Sequence, residues 1–588
     1  MASAAPTAGP AANQGPLREA LRLCGWHLRF AVLFSAIVNI AYLAPTLYML
    51  QVYDRVVPSG SQPTLLFLTL ALAAALFVLT YLDRMRSQIL LAAGVRLNEV
   101  FAGRIFRGAL ASAAGGQPIR LNQMVRDFDT IRAVMTGPPI LALFDAPWIP
   151  IYIVVCFIVH PLIGGLALGG ALLLGALAIV NERSTRDLNT RAATAVAVSA
   201  AGQDSISTGA DVVRALGMSG AFLSQFEAAR ADVVEPQLEG SRSTGRISAL
   251  IRFLRLLLQS VALGLGAWLA IEKQISGGAI FASSMLAARA LSPIDMIVAN
   301  WRLLSAGATS YTSVREQLRY EPPSDRTHLP APKARLSLRQ VSVLAPTRER
   351  PQPLIDSVGL EAAAGQVIGV VGASGSGKTT LLQVIAGARI PDRGEARLDG
   401  ARYAEWDPER LGRFIGYLPQ DSALFPGSIK DNISRFERWT GVDPELIDRK
   451  TLAAARAAEI HDLILTLPQG YETVLGPRGR GLSAGQQQRV ALARAAYGEP
   501  FLYVLDEPNA NVDAEGEMAL LRLIARLKGE GAIVVMSVHR ASLMGVVDIL
   551  AQLRGGRLER LGPRDQVLAS FHASPGPPAG RTAVDRVL

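Results

Sequence analysis

Apolar residues along this chain follow two patterns, and the change falls near residue 320. Before it they gather in unbroken runs, as in "PTLLFLTLALAAALFVLTYL" at 63–82. A helix needs about 20 such residues to cross a bilayer. Six segments meet that length, at 30–50, 63–83, 139–160, 162–181, 250–271 and 275–300; Arg252, Arg255 and Arg289 interrupt the last two. Soluble core helices rarely stay apolar over such stretches, so a buried soluble bundle is the poorer reading. After residue 320 the runs shorten. "RLSLRQVSVL" at 335–344 has the two-residue period of a strand, and "QVIGVVGASGSGKTTLLQVIAG" at 366–387 reads as strand, loop and helix.

The joint between the patterns is "RYEPPSDRTHLPAPKA" at 319–334, Pro-rich and polar as an interdomain linker is. The first residues, "MASAAPTAGPAANQGP", have no basic region and read as a disordered tail rather than a signal peptide. The expected organisation is a tail and entry helix at 1–27, a membrane domain at 28–310, a linker at 311–333, an α/β domain at 334–570 and a tail at 571–588. At 588 residues more than one domain is required.

Half of the residues are hydrophobic and only 18% are charged, an apolar balance that the first half explains. The net charge of +10 raises nucleic-acid binding, but the arginines form no stripe interleaved with aromatics, and no nucleic-acid partner is expected. They collect between apolar runs instead. The segment between the second and third spans holds Arg84, Arg86, Arg96, Arg104, Arg107, Arg120, Arg126 and Arg132, and that between the fourth and fifth holds another seven, from Arg183 to Arg246. The remaining connections, "DRVVPSGSQ", "HP" and "EKQ", are short. The positive-inside rule then puts both long segments and both chain ends in the cytoplasm, with the spans continuing as long intracellular helices. Cys24 and Cys156 have neither disulfide nor zinc spacing. Asp145 in "LFDAPWIP", Arg252, Arg255, Arg289 and Asp295 sit inside spans, where charge marks a cargo route, a snorkelling side chain or a helix pair. Whether Asp145 pairs with one of those arginines is open at this level.

The chemistry lies in the second half. "GASGSGKT" at 372–379 is a phosphate-binding loop in its required setting between a strand and a helix. Gly372, Gly375 and Gly377 let the backbone wrap phosphates. The N–H groups of the loop, with Ala373, Ser374, Ser376 and Thr380, and the helix N-terminus supply the anion site. Lys378 reaches the β- and γ-phosphates of ATP, and Thr379 ligates Mg²⁺. "FLYVLDEP" ends a buried-strand run in two carboxylates: Asp506 to hold Mg²⁺ and Glu507 to polarise the attacking water as general base.

The succession of this loop, "YLPQDSALF" with Gln420, "LSAGQQQR", "VLDEP", "NANVD" with Asp513 and "SVHR" with His539 resembles the ATP-binding cassette domain, over about residues 334 to 565. Six spans before one cassette resemble an ABC exporter half-transporter: a multi-domain membrane protein with an all-α six-helix transmembrane domain followed by an α/β P-loop ATPase domain. The resemblance implies roles. Gln420 would contact Mg²⁺ and the water, His539 would contact the γ-phosphate and orient the water, and Asp513 would communicate across a dimer. The signature Leu482, Ser483, Ala484, Gly485 and Gln486 would cap the γ-phosphate held by the opposite chain, so a chain with one cassette must pair, most simply with itself.

There are departures from the family pattern. Ala484 replaces the first signature glycine. Pro477 in "LGPRGRG" stands where many exporters carry a coupling glutamate. "VSVLAPTRERPQP" has no ring to stack on adenine, which leaves Arg348 or an aliphatic such as Val343 to cover the base.

"DFDTIRAVMTGPPILALFDAPWIPIY", "LYMLQVYDRVVPSGS" and "ARAAYGEPFLYVLDEPNANVDAEGE" are similar to type I secretion system ATPases of the metalloprotease-exporting branch, which lacks an N-terminal peptidase-like domain. Fewer than thirty residues precede the first span here, too few for such a domain. The resemblance implies a multi-pass motor in the bacterial inner membrane, in contact with membrane lipid and with its ATPase domain in the cytoplasm. It would move an unfolded polypeptide with a C-terminal signal, alongside a periplasmic membrane-fusion adaptor and an outer-membrane channel protein. An exporter of lipid, peptide or drug-like substrate is the alternative. Stretches near 116–128 and 208–220 would couple cassette to spans.

Overall fold

The structure is a computed structural model and describes residues 25–115, 121–318, 329–333, 335–345, 352–510 and 512–572. Its contacts separate two compact units, residues 1–109 with 120–321, and residues 110–119 with 322–588.

The first unit is helical: α1 (Gly25–Ala41), α2 (Ala44–Gln51), α3 (Gln62–Ala114), α4 (Leu121–Thr136), α5 (Pro138–Asp145), α6 (Trp148–Val159), α7 (Pro161–Thr208), α8 (Ser219–Ile271), α9 (Gly277–Ala299) and α10 (Trp301–Gln317). Among the described residues five helical stretches are long and apolar enough to cross a membrane, six if the bent pair α5 and α6 counts as one, and the six segments singled out above lie on them. Phe67 and Phe77 on α3 are 70% and 73% exposed. Aromatic side chains this bare suit hydrocarbon rather than water. At 53 residues each, α3 and α8 are roughly 80 Å long by helix rise, far beyond the ~30 Å of a bilayer core, so both continue past their spans. The distal part of α3 buries Leu97, Phe101, Ile105 and Ala109 against Met124, Phe128, Ile131 and Met135 of α4 and Val314 of α10. The four-residue step on α3 is the stripe that helix packing requires. Helix α10 runs through the expected start of the linker at 311. Residues 1–24 and 573–588, most of the expected tails, and 116–120, part of one expected coupling stretch, lie outside the described residues; α4 begins at Leu121. At the second stretch the chain turns at Gly209, forms the short helix Ala210–Ala215 and enters α8 at Ser219.

Asp145 finds a partner that the sequence did not suggest. It sits 8% exposed where α5 and α6 meet at 43°, and its Oδ1 accepts from Arg86 Nη1 of α3 at 2.9 Å. Ser35 Oγ and Asn39 Nδ2 of α1 donate to the same oxygen at 2.6 and 2.8 Å, and Tyr152 OH of α6 donates to the Asn39 carbonyl at 2.8 Å. Arg86 is 4% exposed, so the cation counted above with the cytoplasmic arginines is an internal counter-ion. Of the other intramembrane charges, Arg255 pairs with Asp295 at 3.5 Å and Arg289 lies 3.7 Å over the Tyr42 ring.

The second unit has β1 (Arg335–Leu344), β2 (Pro353–Ala363), β3 (Val367–Val371), β4 (Arg393–Leu398), β5 (Ala401–Arg402), β6 (Ile415–Leu418), β7 (Gly427–Ser428), β8 (Val474–Leu475), β9 (Leu502–Leu505), β10 (Ile533–Ser537), β11 (Ile549–Arg554) and β12 (Arg557–Pro563). Strands β2-β1-β4-β5 form an antiparallel sheet, β7 and β8 a two-residue ladder, and β12-β11-β3-β10-β9-β6 the central sheet, parallel from β11 to β6. Every residue of β3, β9 and β10 is buried, as a sheet covered on both faces demands. Alternation sorts the side chains. Leu502, Val504, Ile533 and Val535 face a core shared with the antiparallel sheet and with helix α11 (Lys378–Ile385). Tyr503, Leu505, Val534 and Met536 face one shared with α12 (Ala484–Ala496) and α13 (Ala514–Gly529). Val343, proposed above as a cover for adenine, is fully buried in the first core and cannot meet a base; Arg348 lies outside the described residues.

Candidate functional site: a phosphate cradle and its carboxylates

In an open parallel sheet, ligands bind beyond the carboxyl ends of the strands. Here β3 ends at Val371 and opens into 372–377, β9 ends at Leu505 before Asp506 and Glu507, β10 ends at Ser537 before His539, and β6 ends at Leu418 before Gln420. Four segments distant in sequence thus deliver the expected residues to one edge.

The loop can be made only by these glycines. A Cβ on Gly372 would lie 2.3 Å from the Leu553 carbonyl oxygen, and Gly377, at φ +100°, would press one to 2.7 Å from that of Leu354. Gly375, at φ +77°, has open space where its Cβ would be. The loop leads into α11, whose first residues are Lys378, Thr379 and Thr380. Lys378 is 8% exposed, and its ammonium donates to the carbonyls of Gly372 and Ala373 at 2.8 and 3.2 Å. Burial lowers its pKa, against the opposing pull of Glu507 and Asp506. The Ser376 hydroxyl is buried without a partner, a donor left free inside the cradle.

Asp506 is 1% exposed. Its Oδ1 accepts from Ser537 Oγ at 2.8 Å, while its Oδ2 is buried without any partner. An orphaned carboxylate oxygen at the mouth of a phosphate loop, with the Thr379 hydroxyl on the first turn of α11, is a hard oxygen donor set suited to Mg²⁺. Glu507 has φ +47°, a left-handed conformation that costs a non-glycine residue about 1–3 kcal/mol and that the surroundings must hold. Its N–H donates to Ser537 Oγ at 2.6 Å. The Glu507 carboxylate accepts from Gln420 Nε2 at 3.1 Å and lies 3.5 Å from His539 Nε2. Burial first, then the Lys378 ammonium, lower the His539 pKa, so its imidazole is neutral near pH 7 and Nε2 has no other partner.

The signature residues form a helix cap. Ser483 caps α12, accepting from Gln486 N at 3.3 Å while Gln486 Oε1 accepts from Ser483 N at 2.9 Å. Ala484 and Gly485 follow in the first turn, and Ser483 and Ala484 are exposed. Among the described residues, no hydrogen bond joins 482–486 to 372–380. Asp513 caps α13, accepts from Gly516 N at 2.9 Å and pairs with Arg489 Nη2 at 2.5 Å; these bonds, Gly516 first, hold its carboxyl below the ordinary range.

Ser537 and Gln488 stand inside the quoted stretches "SVHR" and "LSAGQQQR", but the motif reading gave neither a role. Ser537 links Asp506 to the Glu507 backbone, and Gln488 (3% exposed) donates to the carbonyls of Glu507 and Pro508, both at 3.2 Å. A polar end to the apolar run "IVVMS", and a third glutamine where a helix turns its buried face, were the available signals.

Comparison with known proteins agrees with this geometry. Residues 28–293 match the ABC transporter transmembrane region and residues 355–510 the ABC transporter domain. The type I secretion system ATP-binding protein PrsD of Rhizobium meliloti is 39% identical over 91% of each chain. The toxin RTX-I translocation ATP-binding protein of Actinobacillus pleuropneumoniae and the alpha-hemolysin translocation ATP-binding protein HlyB of Proteus vulgaris are each 27% identical, over 92% of this chain and 76% of theirs. A bacterial Atm1-family ABC exporter with ATP bound has the same fold, with a TM-score of 0.77 at 20% identity over 92% of this chain and 96% of that one. A polytopic helical unit, a cassette with its cradle and carboxylates, and this likeness along nearly the whole length make the chain a member of the type I secretion ATP-binding proteins, ABC exporters in which ATP hydrolysis drives transport.

Proposed function

We propose that this protein is the motor of a type I protein secretion system. It moves an unfolded polypeptide out of the cytoplasm through a homodimer that binds ATP and Mg²⁺ at two composite sites. The observation that carries the reading is the meeting of Glu507 with Gln420 and His539 beside the glycine cradle and Lys378, in a chain 39% identical to a type I secretion ATP-binding protein.

The residues divide the work. The N–H groups of 372–380 and Lys378 hold the β- and γ-phosphates, with Lys378 leaving its carbonyl partners for the anion. Thr379, Asp506 and Gln420 would hold Mg²⁺, which would supply positive charge to offset that of the phosphates. Glu507 accepts a proton from the attacking water, and neutral His539 and Gln420 orient that water and the γ-phosphate. The cap at Ser483, Ala484 and Gly485, its first two residues exposed, completes the site of the partner subunit, a reading supported by its having no hydrogen bond to its own cradle among the described residues. Asp513, tied to Arg489, signals between the two sites.

The arginine-rich extensions of the spans support a cytoplasmic cassette and helices that cross the bacterial inner membrane, with a periplasmic adaptor and an outer-membrane channel completing the route. The deciding experiment follows secretion of a polypeptide encoded beside this gene, with wild-type protein or with Glu507→Gln. Export with the first and cytoplasmic retention with the second are expected. Equal export with both would overturn the motor role.

A further inference from the structure

The general base is held from both sides of its strained backbone, and one of the two holds comes from the signature helix. Ser537 fixes the Glu507 N–H. On the other side the Gln488 amide donates to the carbonyls of Glu507 and Pro508, each at 3.2 Å, and accepts from Ser422 Oγ at 3.0 Å. Two carbonyls on one end of the amide leave only the NH₂ for that end, so its orientation follows from its partners. Ser422 stands two residues after Gln420, whose own amide touches the Glu507 carboxylate. One turn and a half further along α12, Arg494 donates to the Ala423 carbonyl at 2.8 Å, a second tie between that loop and the helix. Gln488 is 3% exposed and lies five residues after Ser483 on α12. The amide is therefore a buried node joining the Gln420 loop, the signature helix and the peptide that aims the base.

We propose that Gln488 is a positioning residue for hydrolysis: through its bonds to the Glu507 and Pro508 carbonyls it sets the Glu507 carboxylate in its working geometry, and through Ser422 it makes that setting depend on the Gln420 loop. The inference rests on Glu507 being the general base. Glu507 at φ +47° is held in a left-handed conformation that a non-glycine residue disfavours, so the external bonds on its peptide help to fix where its side chain points. Displacements of about 1 Å around a reacting group cost on the order of 10²-fold in rate. A shift of α12 when Ser483 meets a phosphate would reach the base through this amide.

The test uses the full-length protein in lipid nanodiscs, with steady-state ATPase measured against ATP concentration. Gln488→Met keeps the volume and removes both donors. Its kcat should fall roughly tenfold or more while KM for ATP stays within about twofold, since the cradle is untouched. In a Glu507→Gln background the same change should alter the residual rate by less than about twofold, because it acts through the group already lost. A Gln488→Met kcat within about twofold of wild type, a parallel rise in KM, or a full additional loss on top of Glu507→Gln would each overturn the proposal. Should Glu507→Gln itself hydrolyse ATP at the wild-type rate, it is the base assignment that fails. If Gln488→Met does not assemble, Ser422→Ala carries the test: a lower kcat at unchanged KM supports the link, and an unchanged kcat overturns it.

Discussion

Glu507 combines a backbone conformation that folding disfavours with a carboxylate that two neutral polar groups meet. Glu507→Gln keeps the size and loses the base, so turnover should drop by roughly 10²-fold or more while ATP still binds, checked by phosphate release and by fluorescent-nucleotide titration. Lys378→Ala removes the one buried cation of the cradle and should abolish tight ATP binding in the same titration. His539 adds a pH dependence. With its pKa pushed below the ordinary 6.5 by burial and by Lys378, the imidazole works neutral, and protonation removes it only in acid. The rate ratio of wild type to His539→Ala should therefore stay level above pH 7 and shrink toward one only in acid below pH 6.5. A ratio that grows in acid would mean that the charged form is the active one. These residues were legible because each belongs to a motif whose spacing is set by phosphate chemistry. The roles of Ser537 and Gln488, although both stand inside motifs, and that of Arg86 were not, because what makes each matter is a partner at least 19 residues away, such as Asp145 for Arg86.

Helices and strands were legible to different depths. The two-residue alternation of β9 and β10 distributes Leu502, Tyr503, Val504 and Leu505 between two cores, and the apolar runs coincide with the membrane-length helices. The bend between α5 and α6 was not, since 139–160 reads as one apolar span, although Pro147 at the break is a signal for a kink. Asp145 there unites α1, α3 and the bend through Ser35, Asn39 and Arg86. Removing one partner of such a pair typically costs about 3–5 kcal/mol, whereas replacing both by apolar groups costs far less. Arg86→Met should accordingly lower the thermal midpoint of the detergent-solubilised protein well below wild type, and Arg86→Met with Asp145→Leu should recover part of the loss. A double variant no better than the single one would show that the site is held by packing alone. A second polar tie works at the opposite end of the bundle. Asp54, in the π-turn after α2, accepts from Ser276 Oγ and from Gly278 N at 2.5 and 2.7 Å, capping α9 where a Cβ on Gly278 would meet the Leu50 carbonyl oxygen at 2.6 Å.

At the scale of the molecule, the cradle and the signature pose a question of symmetry. Each chain carries one of each, and within a chain the cap of α12 closes on itself through Ser483 and Gln486 rather than on the cradle. A two-fold dimer lets each cap serve the opposite cradle, and twin sites then close together. Subunit mixing separates this from a site complete within one chain. Lys378→Ala damages a cradle, and Ser483→Arg fills the space above the cap of α12. Pure preparations of either variant should be inactive under both schemes. In a mixed dimer with sites shared between chains, both lesions fall on one site and the other is intact, so the mixture regains ATPase activity, up to about a quarter of wild type for random pairing of independent sites. With sites complete within each chain, every site in the mixture carries one lesion and nothing is regained. Co-expressing the two variants with different affinity tags, purifying through both tags in turn and measuring phosphate release yields the mixed dimer alone, and activity there, absent from both parents, is the expected result.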